Sequence, residues 1–219
     1  MMNLTETEKG ALIYPEADFV AQANVNCDRL FKEAEELGFE QFWDNRAREI
    51  PWFKAWEQTL EWKAPFAKWY LGGKLNASYV CLDHIIAQGK GDKVAYFWEG
   101  ENGDAKQITY SELLAEVSRC ANVLKNLGIK KGDRVAIHMP ISLQTVISML
   151  ACARVGAIHL VIFGGIGPGG MRDRILDAQA KLMMTVDGGY RRGKVIPFKE
   201  TVNEAVAETP CVENILVFK

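Results

Sequence analysis

The sequence reads as an α/β protein: a helical, irregular N-terminal extension, then the start of a larger domain built on a mostly parallel sheet. Three observations carry that reading. From Arg134 onward, apolar strand-like runs alternate with helix-period segments in the order β-α-β-α-β-α-β. Two glycine-rich stretches, 164–170 and 188–193, each follow such a strand, where open α/β sheets place their ligands. The texture also changes near residue 90, because five of the six tryptophans fall between Trp43 and Trp69.

Residues 1–90 are expected to be helical and irregular, with Trp52 and Trp56 one helical turn apart. Aromatics at this density could stack bases. The mixed charges around them favour a segment whose aromatic side packs on a larger body. Residues 94–98 and 106–109 flank Glu99-Gly-Glu-Asn-Gly-Asp104, a hairpin pattern with Asn102-Gly103 in its turn. Thr109-Tyr-Ser-Glu112 is a capping box, after which Leu113, Leu114, Val117, Ala121, Leu124 and Leu127 recur at helical spacing until Gly128.

Strands follow at Arg134–His138, 157–163, Leu182–Val186 and Asn214–Phe218, with helices at Leu143–Val155, 171–180 and 199–207 between them. Near-continuous apolar strands of this kind are those of a parallel sheet covered on both faces. The last strand is followed by no covering helix. The chain is therefore expected to divide into an extension over 1–90 and the first, incomplete part of a large domain over 91–219.

Composition narrows the function. A net charge of −2 gives no general attraction to nucleic acid or to an anionic membrane, so anion binding has to be local. The five cysteines, Cys27, Cys81, Cys120, Cys152 and Cys211, contain no C-x-x-C pair. They suit mostly buried thiols in a reducing compartment, and a cytoplasmic location is expected. Residues 1–10 are polar and acidic, without a signal pattern.

The segment Asp187-Gly-Gly-Tyr-Arg-Arg-Gly-Lys194 has the composition of a phosphate loop. Its glycines let N–H groups approach an anion, and Arg191, Arg192 and Lys194 supply charge-assisted donors. A solvated basic turn is the plainer alternative. The segment nearly completes G-x-x-x-x-G-K-[ST], but Val195 stands where the magnesium-binding hydroxyl would be. Gly165-Ile-Gly-Pro-Gly-Gly170 satisfies G-x-G-x-x-G, with Asp187 at the end of the next strand, so a Rossmann-type NAD site is a rival. At least one strand–helix pair precedes it, however, where that motif normally opens its domain. Cys81-Leu-Asp-His84 has ligand-like spacing without a second pair, so no metal site is expected, and no residue stands out as nucleophile or general base.

Taken together, Gly72-Gly-Lys-Leu-Asn-Ala-Ser-Tyr79, Cys81-Leu-Asp83, Gly91-Asp-Lys-Val94, Trp98-Glu-Gly-Glu101 and Lys131-Gly-Asp-Arg-Val-Ala-Ile137 resemble the acetyl-CoA synthetase family of acyl-adenylate-forming enzymes. Met139-Pro140, Met149-Leu-Ala-Cys-Ala-Arg154, Val161-Ile-Phe-Gly-Gly165, Arg172-Asp-Arg-Ile175 and the 187–194 segment follow in the family's order, from about Phe42 to Lys219. The resemblance implies a ligase that joins acetate, or a close short-chain acid, to ATP as an acyl-adenylate and then to coenzyme A. It places Phe163, Gly164 and Gly165 near the coenzyme A adenine, and Arg191, Arg192, Gly193 and Lys194 at its phosphates.

ATP and Mg2+ belong to the complete enzyme. The family's Thr-Ser-Gly-Ser-Thr-Gly-x-Pro-Lys-Gly loop and its catalytic lysine have no counterpart in these 219 residues, so the chain is expected not to catalyse alone. A standalone coenzyme A-binding or regulatory module is the alternative. The sequence departs from the family at Ile166-Gly-Pro-Gly-Gly170, where Phe-Ser-Pro-Glu-Ala is usual, and at Val80 and His84, where Asn and Arg are usual.

Overall fold

The computed structural model describes residues 14–219. Residues 1–10, read above for a signal pattern, lie outside them. The described residues form two compact units, one comprising the chain up to Glu49 with Glu57–Leu71, the other Ile50–Trp56 with Gly72–Lys219.

The first unit contains α1 (Ala17–Gln22), α2 (Arg29–Leu37), α3 (Phe39–Ala47) and an antiparallel hairpin of β1 (Gln58–Lys63) and β2 (Phe66–Leu71). The hairpin corrects the expectation of helix and irregular chain. Leu60 pairs with Trp69 and Trp62 with Ala67, and Ala64-Pro65 makes the connection. Thr59 donates to Asp44 of α3 at 2.6 Å, and the Phe39 ring meets those of Trp43 and Trp69 edge-on. Trp62 and Phe66 are exposed.

In the second unit, Trp52 and Trp56 are not on a helix. Their segment is extended, with Lys54 bridging Lys74, and the two indoles lie 4.9 Å apart. Wide helical turns cover Tyr79–Asp83 and Ile86–Lys90. Next come the hairpin of β3 (Val94–Glu99) and β4 (Ala105–Thr109), then α4 (Tyr110–Asn126), whose capping box forms as expected: Thr109 accepts from the Glu112 amide and Glu112 from the Thr109 amide.

The main sheet uses β5 (Arg134–His138), β6 (Ile158–Val161), β7 (Leu182–Val186) and β10 (Asn214–Phe218), all parallel, in the order β10-β7-β5-β6. Helices α5 (Leu143–Val155), α6 (Pro168–Ala178) and α7 (Phe198–Val206) make the crossovers. Alternate strand residues choose the face. Val135, Ile137, Leu182 and Met184 pack with Val117, Leu124 and Ala151 of α4 and α5. Ala136 and Met183 pack with Met171, Ile175 and Val202 of α6 and α7. All twelve are essentially inaccessible to solvent, which is the largest stabilising feature visible in the fold.

Several boundaries differ from expectation by one to three residues. β6 is shorter than 157–163, and α6 begins three residues early because Pro168 takes its first position, where its missing N–H costs nothing. Among the described residues, no helix is long and apolar enough to cross a membrane.

Candidate functional site

The sheet winds as a doubly wound fold, with the first strand, β5, flanked by the second, β6, and the third, β7. Connections after β5 and β7 leave in opposite directions, so a crevice opens between their carboxyl ends. The segment after β7 is the phosphate-loop candidate. It is not an open loop: β8 (Gly189–Arg191) and β9 (Lys194–Ile196) pair antiparallel, Arg191 opposite Lys194. Arg192 and Gly193 make the two-residue connection with φ of 52° and 72°, the requirement of a type I′ turn.

The G-x-G-x-x-G stretch follows β6, the outer strand, and not the strand at the crevice. That position argues against a Rossmann phosphate site. Asp187, the expected ribose acid, turns its carboxylate onto the Gly188 amide at 2.8 Å.

The two glycine-rich stretches nevertheless meet. The Arg191 guanidinium lies over the Phe163 ring, 5.2 Å from its centre. A Cβ on Gly165 would come within 2.7 Å of both Arg191 Nη1 and Phe163 Cε1, so only glycine lets them close at this distance. Phe163 is 65% exposed, presenting an aromatic surface to solvent.

Sequence reasoning missed the residue beneath them. Phe198, 2% exposed, opens α7, and its ring would touch a Cβ at either Gly164 or Gly189, at 3.3 and 3.2 Å. The same ring lies 5.1 Å from that of His138, at the carboxyl end of β5. His138 is 1% exposed, and burial pushes its pKa below the ordinary value despite a hydrogen bond to the Ile162 carbonyl at 3.2 Å. No periodic signal marks Phe198 in advance, because its role depends on which strands become neighbours.

The backbone amides of the tip, expected to face an anion, are engaged within the chain. Arg192 N–H donates to Glu101 Oε1 at 2.7 Å and Gly193 N–H to Oε2 at 3.2 Å. The cations at 191, 192 and 194 are thus the donors left at the tip for a phosphate.

The remaining sequence candidates are structural. Asp83 pairs with Arg154, and His84 contacts Gln88 at 2.8 Å. Among the described residues, no group of three or more His, Cys, Asp or Glu is placed to hold a metal ion. Of the five thiols, only Cys120 and Cys152 are buried, while Cys27 and Cys81 are exposed, which corrects the expectation of mostly buried cysteines. Burial pushes the thiols of Cys120 and Cys152 up to about 11 and about 12, which makes them poor nucleophiles.

The second unit is a doubly wound α/β fold whose cationic hairpin tip lies against an aromatic ring. Sequence comparison specifies the family. The profile described as AMP-binding enzyme matches residues 84–219, and that described as acetyl-coenzyme A synthetase N-terminus matches residues 28–81.

The acetyl-coenzyme A synthetase of Rubrobacter xylanophilus is 46% identical over 218 residues, covering 99% of this chain and 34% of the relative. Those of Mycolicibacterium smegmatis and Streptomyces coelicolor are each 47% identical, over 100% and 94% of this chain and 23% and 31% of their own lengths. The chain belongs to the AMP-binding enzyme family and, within it, matches the N-terminal part of acetyl-coenzyme A synthetases. It spans about a third or less of the length of these relatives.

Proposed function

We propose that this chain carries part of the coenzyme A site of an AMP-forming acetyl-CoA synthetase. The observation that carries the reading is the Arg191 guanidinium set over the Phe163 ring, with Gly165 closing against both. A planar adenine can stack on such aromatic and guanidinium surfaces. The cations of Arg191, Arg192 and Lys194 then lie within one hairpin tip of it, suited to a ligand that combines an adenine with several phosphates. Phe163, Gly164, Gly165, Arg191, Arg192, Gly193 and Lys194 are the proposed contacts.

In the complete enzyme, a carboxylate such as acetate attacks the α-phosphate of MgATP, forming acyl-adenylate and releasing pyrophosphate. The thiol of coenzyme A then forms the thioester and AMP leaves. The ATP loop and catalytic lysine of the family are not among these 219 residues, and the chain alone carries out neither step. Residues 1–90 serve as the extension and 91–219 as the opening part of the large domain. Five free thiols suit the reducing cytoplasm.

Calorimetric titration of the chain with coenzyme A tests the reading. Saturable binding weakened roughly tenfold by Arg191→Ala is expected, the loss of about one charge-assisted contact. Equal affinity of a folded Arg191→Ala variant defeats it. Saturable NADH binding would restore the dinucleotide reading instead.

A further inference from the structure

We propose that Glu101 is a positioning residue for the cationic hairpin tip: its carboxylate holds the turn by its backbone amides and leaves the side chains of Arg191, Arg192 and Lys194 to the ligand. The ligand side of this inference rests on the coenzyme A reading above. The contact itself does not.

Each carboxylate oxygen of Glu101 takes one amide, Oε1 that of Arg192 at 2.7 Å and Oε2 that of Gly193 at 3.2 Å, across 91 and 92 residues of sequence. The acid's own turn is braced. Gly100 N–H donates to the Asp104 carbonyl at 2.7 Å, Gly103 N–H to the Gly100 carbonyl at 3.0 Å, and the Asn102 side chain to the Asp104 carboxylate at 2.8 Å. The hairpin behind that turn is fastened to the same end of the sheet, since Trp98 Nε1 donates to the Ile141 carbonyl, just beyond β5, at 2.9 Å.

The tip needs such support. Its strands are three residues each, and a lone two-stranded hairpin is marginal in water. Arg192 holds φ at 52°, a conformation unfavourable for a residue with a Cβ. Two charge-assisted hydrogen bonds from one carboxylate offset both weaknesses.

An acid among cations could instead act as a plug that an incoming phosphate must displace. The geometry points to the brace. The carboxylate binds main-chain amides, and the Arg191 guanidinium is engaged with Phe163. A turn fixed before binding spares the ligand the cost of ordering it.

The test uses the full chain with Glu101→Ala and Glu101→Gln, in two arms. In the first, amide exchange at Arg192 and Gly193 is followed by NMR. Slow exchange in the wild type, faster in Glu101→Gln and fastest in Glu101→Ala is expected; equal exchange in all three overturns the brace. In the second, coenzyme A and dephospho-coenzyme A are titrated. Glu101→Ala is expected to lose on the order of five- to tenfold affinity for coenzyme A, and less for the ligand with fewer phosphates. Tighter binding by Glu101→Ala overturns the brace in favour of the plug. If neither ligand binds the wild type, the coenzyme A reading fails while the exchange arm still decides the brace.

Discussion

Arg154, in the last turn of α5, grips Asp83 with both terminal guanidinium nitrogens, Nη1 to Oδ2 at 2.8 Å and Nη2 to Oδ1 at 2.9 Å. Asn76 completes the clasp by donating to the Ala153 and Arg154 carbonyls in the last turn of the helix at 2.9 and 3.3 Å. The Cys81-Leu-Asp-His84 motif is thereby explained as a structural lock between the segment before β3 and the crossover that leads to β6.

The fork predicts a pH-dependent loss. The hydrogen bond from Arg154, ahead of its charge, holds the Asp83 carboxyl below the usual range against modest burial. A carboxylate lowered by folding stabilises above its ordinary pKa of about 4, and that stabilisation disappears as pH falls through the lowered value. Asp83→Asn is therefore expected to cost about 1–2 kcal/mol at pH 7, a fall in Tm of roughly 2–8 °C. The gap from wild type should close toward pH 3. Melting curves at both pH values check this, and a gap undiminished at pH 3 refutes it.

Elements whose cause is local were legible in the sequence. Arg134–His138, Leu182–Val186 and Asn214–Phe218 are short apolar runs between helix stops, and Thr109 and Glu112 announce their cap from spacing alone. The β1–β2 hairpin was not legible, because its faces do not alternate cleanly between buried and exposed and no glycine marks its turn. The 189–196 hairpin was hidden for the opposite reason, since its glycines suggested an open loop. At the candidate site, the cations of 191–194 stood out from the residues themselves, whereas 163–165 were singled out as coenzyme A contacts only by the family resemblance. Their meeting, the Phe198 floor and the Glu101 contact follow from strand order, which no single segment encodes.

His138 is expected to make the fold sensitive to mild acid. Its buried ring favours the neutral form, so its folded pKa lies below the ordinary value of about 6.5. The unfolded chain takes up a proton first as pH falls. Stability is thus full above about 6.5 and declines below it until the lowered folded pKa is reached. Urea midpoints from pH 8 to pH 5 should fall for the wild type and stay flatter for His138→Asn, which keeps a donor near Ile162 but does not titrate. Parallel slopes in the two proteins would exclude His138 as the source.

The glycines after Gly165 cost the start of α6 more order than they return. A Cβ on Gly169 meets nothing within 4 Å, and its φ is not in the left-handed region. Gly169→Ala should stabilise by about 0.5–1 kcal/mol. Gly170→Ala should gain less, since its Cβ would lie 3.0 Å from Ile166 Cγ2. Paired thermal melts decide the matter, and a lower Tm for Gly169→Ala counts against it.

Gly165 separates stability from ligand binding at the proposed site. A methyl group there would come within 2.7 Å of Arg191 Nη1 and Phe163 Cε1, so the pair must part. The guanidinium is the far end of a flexible, half-buried side chain outside the buried core clusters, and moving it disturbs no core. Gly165→Ala is therefore expected to melt within roughly 2 °C of the wild type, as surface substitutions do. Its coenzyme A affinity should fall by about three- to tenfold because the stacking surfaces are displaced. Calorimetry beside a thermal melt reads both quantities. Unaltered affinity in a variant that melts normally would mean that the closeness of Arg191 to Phe163 has no part in holding the ligand.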